Sequence, residues 1–80
     1  MEETSGPRAR YVWRIDVLDG PPGPGWQPWE EGEDDMPPSW VEAAAAAYLA
    51  HTGARDYPAR ILVWAGEQGA NEAAVYRASR

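Results

Sequence analysis

Eighty residues with 44% apolar content, a net charge of −6 and no cysteine fit one small domain held by packing, with no disulfide and no thiolate metal site. No apolar run approaches the roughly 18 residues that cross a bilayer as a helix. Residues 1–40 hold nine acidic residues and three arginines (−6), and residues 41–80 hold four of each (0), so the field repels phosphate backbones and anionic lipid and is compatible with a basic or polar protein partner.

The start, MEETSGPRAR, lacks a basic and apolar leader, so the expected location is cytoplasmic. All seven basic residues are arginine, a usage that goes with a GC-rich bacterial or phage coding sequence.

In chain order, residues 1–8 read as a flexible terminus. Residues 9–18 then alternate, with Tyr11, Trp13, Ile15 and Val17 on one side and Val12, Arg14, Asp16 and Leu18 on the other. A period of two rich in β-branched and aromatic residues predicts a strand with one buried face. Asp19-Gly20-Pro21-Pro22 ends it, because proline removes donors and restricts the residue before it.

Residues 20–38 contain six prolines and four glycines in nineteen positions, together with Trp26, Trp29 and five carboxylates. This composition predicts a long irregular Pro/Gly/Trp acidic loop, of a length that signals function or packing against the domain.

A helix should follow, with Ser39 capping its free amides and Glu42 completing a capping box. Its apolar stripe is Trp40, Val41, Ala44, Ala45, Tyr48 and Leu49, and the alanines 43–47 permit close approach to a sheet. Gly53 is placed to end it in a left-handed conformation. Residues 60–65 are apolar almost throughout and predict a covered second strand, and residues 74–78 predict a third strand paired with it as a hairpin.

The expected fold is one α+β domain over residues 1–80, a small two-layer β-α-β-β sandwich with a three-stranded mixed sheet and one helix. A right-handed crossover would make its first two strands parallel. That topology gathers Arg8, Arg10, Arg55, Arg60, Arg77 and Arg80 at one end. It gathers Asp19, Glu30, Glu31, Glu33, Asp34, Asp35, Glu67 and Glu72 at the other. One helix leaves a sheet face open, to be covered by Trp26 and Trp29 or by a second copy in a homodimer.

Trp26 and Trp29, with Glu30, Glu31, Asp34 and Asp35, form the candidate partner-binding segment, since tryptophan dominates interface energetics. Packing of the two rings on their own domain is the first reading of them, ahead of partner contact, and disorder of the segment is the third. Arg14, Trp64, Tyr76 and Arg77 form the alternative, nucleic-acid constellation of stacking rings beside cations. The acidic balance weighs against that reading and leaves open a chain that mimics nucleic-acid charge.

The acidic run lacks calcium-loop spacing, and His51, the sole histidine, has no cysteine or second histidine to complete a zinc site. No nucleophile elbow or phosphate loop is present. The sequence therefore points to a non-enzymatic interaction or accessory module with no catalytic residue, no metal and no cofactor.

Overall fold

A computed structural model describes residues 7–20, 23–53 and 56–80. The expectations placed on residues 1–6, on Pro21-Pro22 and on Arg55 lie outside the described residues.

The elements are β1 (Ala9–Leu18), β2 (Trp26–Met36), a 3-10 turn (Pro38–Trp40), α1 (Val41–His51), β3 (Ala59–Ala65), a second 3-10 turn (Asn71–Ala73) and β4 (Tyr76–Ser79). The four strands form one antiparallel sheet in the order β2-β1-β3-β4. This corrects the expected three-stranded mixed sheet: the stretch over residues 20–38 is not an irregular loop but holds an eleven-residue strand. It also removes the parallel crossover, because β2 reverses the chain before the helix returns it, and β3 then runs antiparallel to β1.

β2 tolerates its composition because it pairs on one side only. Pro28 lies on this edge strand, where a missing donor need not break a ladder. Trp29 is the extra residue of a bulge, since Ile15 pairs with Glu30 while Asp16 pairs with Pro28. Carboxylates along the rest of the strand are a usual defence of an exposed edge. The turn into β2 closes where the Asp19 carboxylate and carbonyl-paired amide meet Gly25 at 2.8 and 2.9 Å. Asp19 itself takes a positive φ of 58°, which aspartate tolerates better than most side chains.

The helix side of the sheet holds the main core. Tyr11, Ile15 and Val17 of β1 and Ala59, Ile61 and Val63 of β3 meet Val41, Ala45 and Leu49 of α1. The β1 positions follow the expected alternation and the α1 positions the expected stripe, while β3 is covered as its apolar run implied and begins one residue earlier, at Ala59. Of the expected stripe, Trp40 stays exposed under the Arg8 guanidinium, 5.3 Å from its ring.

The helix ends differ from expectation. Ser39 sits inside the 3-10 turn, and α1 starts from Trp40 with no side-chain cap, so the capping box does not form. Consecutive prolines at 37 and 38 fix the backbone of that turn instead, and Trp40 N–H reaches the Pro37 carbonyl at 2.9 Å. At the other end Thr52 is extended and buried, and Gly53 is not left-handed. The Thr52 hydroxyl donates to Glu30 at 2.8 Å and ties the helix end to β2.

The reversed direction of β3 and β4 also overturns the expected dipole. Arg60 now lies at the Asp19 end of the sheet, while Arg8 and Arg10 lie among the acids of β2. Arg10 pairs with Glu33 at 2.6 Å and Arg8 donates to the Asp35 carbonyl at 2.9 Å.

Candidate functional site: the open face of the sheet

Directly opposed residues of antiparallel strands share a face. Val12, Arg14, Asp16 and Leu18 of β1 face away from the helix, and their partners follow them: Glu33, Glu31, Pro28 and Trp26 on β2, and Trp64, Leu62 and Arg60 on β3. Arg77 and Ser79 of β4 complete the rows opposite Leu62 and Arg60.

The centre of this face is ionic. Asp16 is 2% exposed and accepts from Arg14 Nε at 2.7 Å, Arg14 Nη2 at 3.0 Å and Arg60 Nε at 2.9 Å. Charge-assisted bonds on both oxygens make the buried carboxylate tolerable. Each arginine also covers an indole: Arg14 stands 5.3 Å from the Trp64 ring and Arg60 stands 4.3 Å from Trp26.

The segment between β3 and β4 closes the lower half. Trp64 Nε1 donates to the Ala70 carbonyl at 2.8 Å, and Asn71 Oδ1 accepts from Arg14 at 2.9 Å. Trp64 and Leu62 are thereby buried on the face that the helix does not cover. The upper half remains a groove of about 330 Å³ bounded by Trp26, Arg60, Leu62, Asn71, Arg77 and Ser79. Trp26 is 37% exposed at its mouth.

The residues of the expected partner segment divide between two faces. Trp26, Glu31 and Asp35 stand on the open face, and Trp29 is exposed at the bulge. Glu30 and Asp34 point to the helix side, where they accept from Thr52 and Tyr48. The two sides of the open face carry opposite charge, with Glu31, Glu33 and Asp35 along β2 and Arg60 and Arg77 towards β4. Among the described residues no three His, Asp or Glu side chains gather as a metal site.

The nucleic-acid constellation is not brought together. Arg14 and Arg77 share the open face, but Trp64 is 2% exposed beneath its loop and Tyr76 belongs to the helix side. Arg60 and Asp16, which sequence reasoning passed over, do the organising. The alternation of β1 put Asp16 on the non-helix side, and a lone acid between apolar strand residues was the available signal.

On the helix side Tyr48 stacks on Trp13 with ring centroids 4.8 Å apart and donates its hydroxyl to Asp34. Burial, then the hydrogen bond and charge of Asp34, push the Tyr48 hydroxyl up from 10.0 to about 12. The fold favours the neutral phenol, so this contribution is complete below pH 10.0 and disappears as pH rises through about 12. Melting temperatures followed from about pH 9 upward should fall more steeply for the natural chain than for Tyr48→Phe. Parallel curves would remove Tyr48 as the source.

No helix among the described residues is long and apolar enough to cross a membrane. Comparison with protein-family models, with curated proteins and with solved structures finds no match to this chain.

Proposed function

We infer that this small α+β domain is a protein-interaction module, not an enzyme, and that it acts through the open face of its sheet. The observation that carries this reading is Trp26: a half-exposed indole held flat by Arg60 at the mouth of a groove whose far wall is Arg77. An ordered aromatic anchor beside an apolar floor and a charged rim is the composition of an interface centre. Stacking on a guanidinium that is itself bound to buried Asp16 fixes the ring in advance, which lowers the ordering cost of binding. Because the face carries acids on one side and arginines on the other, a complementary surface carries both signs. The nucleic-acid alternative draws less support, since its stacking rings are covered or face the helix.

Trp26→Ala and Arg77→Glu should each weaken capture of protein partners from native extract, by about tenfold or more, while leaving the far-ultraviolet spectrum unchanged. Trp29→Ala should have a smaller effect, because that ring stands at the bulge outside the groove. Unchanged recovery of every partner with both groove variants defeats the reading.

A further inference from the structure

We propose that the open face binds a second copy of this chain, the two sheets meeting face to face about a two-fold axis parallel to the strands. The inference rests on the interaction reading above and names the partner.

Registry carries it. One row across the sheet reads Glu31, Arg14, Leu62, Arg77, from the β2 edge to the β4 edge. Its two ends have opposite charge and are about 14 Å apart at three strand spacings, too far to pair within one chain. Neither Glu31 nor Arg77 has an ion-pair partner among the described residues; Arg77 only donates to the Asn71 carbonyl at 3.3 Å.

A two-fold axis along the strands exchanges β2 with β4 and β1 with β3 while keeping each row at its own level. Glu31 of each copy then lies opposite Arg77 of the other, twice over. The next row, Asp16 with Arg60, also meets itself with charges exchanged. The groove floor at Leu62 and the Trp26 rings supply the apolar part, and the contact is confined to the half of the face that the segment over Trp64 leaves open. The other in-plane two-fold axis, perpendicular to the strands, sets β2 against β2 and β4 against β4, acid over acid and arginine over arginine. The self-complementary pattern therefore selects one isologous arrangement.

Sedimentation equilibrium of the full chain across about 1 µM to 1 mM should show the 8.8 kDa species giving way to twice that mass. Glu31→Arg and Arg77→Glu should each weaken dimerisation by at least about tenfold, since each sets like charges together twice. Glu31→Arg combined with Arg77→Glu in one chain should restore it. An equimolar mixture of the two single variants should also dimerise, because each contact then joins an arginine to a glutamate. Far-ultraviolet spectra verify that all variants fold, and Glu31→Gln and Arg77→Gln serve as milder versions.

A natural chain that stays at 8.8 kDa throughout, single variants without rescue, or species larger than a dimer each overturn the arrangement. If the natural chain is monomeric while Trp26→Ala and Arg77→Glu still abolish capture of another protein, the second-copy proposal fails and the interaction reading stands. If those variants change no association of any kind, both fail.

Discussion

Asp16→Ala should destabilise the domain by about 3–5 kcal/mol, the cost of removing one member of a buried ion pair. For a chain of 80 residues whose whole stability is on the order of 4–12 kcal/mol, such a loss approaches unfolding. The Asp16 side chain is 3% exposed, and the guanidiniums that it holds belong to side chains only 14% and 27% exposed. Removing the carboxylate leaves two cations side by side, neither fully solvated, and frees Arg60 from the face of Trp26. Asp16→Asn keeps the shape and one acceptor and should fall between. Asp16→Leu with Arg14→Met and Arg60→Met should recover most of the stability, because an apolar cluster replaces a buried ionic one at little net cost. Urea midpoints at constant slope report all three. A loss below about 1 kcal/mol for Asp16→Ala would place the network with surface ion pairs.

β1, β4 and the apolar stripe of α1 were legible because each buries one face and so writes its period into the sequence, and β3 because burial on both faces makes it apolar almost throughout. β2 was not. Its helix-side residues are Gln27, Glu30, Gly32, Asp34 and Met36, of which only Met36 joins the core, and the rest of its cover comes from Trp13 and Tyr48 of other elements. With no apolar alternation, and with Pro28 at a bulge, it carries the composition of a loop. That one omission turned an antiparallel sheet into a mixed one and displaced half of the charges. Ser39 and Gly53 misled for a local reason: Pro37 and Pro38 begin a 3-10 turn ahead of the helix, and Thr52 ends the helix by bonding to β2. Trp26 was legible as an anchor by residue type. Its place on Arg60 depends on the register of β2, which no local pattern sets.

Gly32→Ala should cost about 1–3 kcal/mol, and the sign of its effect should reverse when Trp13 is removed. Within the sheet glycine is the poorer residue by about 0.5–1 kcal/mol, so alanine ought to help at an open position. Gly32 is not open: a Cβ there would stand 2.5 Å from Trp13 Cζ2 and 2.8 Å from Cε2. The indole cannot simply lift, because its other face stacks on Tyr48 at an interplanar angle of 22°. Its Nε1 is already buried with no acceptor among the described residues, so displacement has little hydrogen bonding to lose and much packing to lose. Trp13→Ala alone should cost about 3–5 kcal/mol, the usual range for deleting a packed aromatic. In that background Gly32→Ala meets empty space, and the ordinary strand preference for alanine should return as a small gain. Four urea denaturation curves complete the cycle, with an expected coupling between the two sites above about 1 kcal/mol. Gly32→Ala equally harmful with and without Trp13 would mean that glycine serves the backbone of β2 and not the bed of the indole.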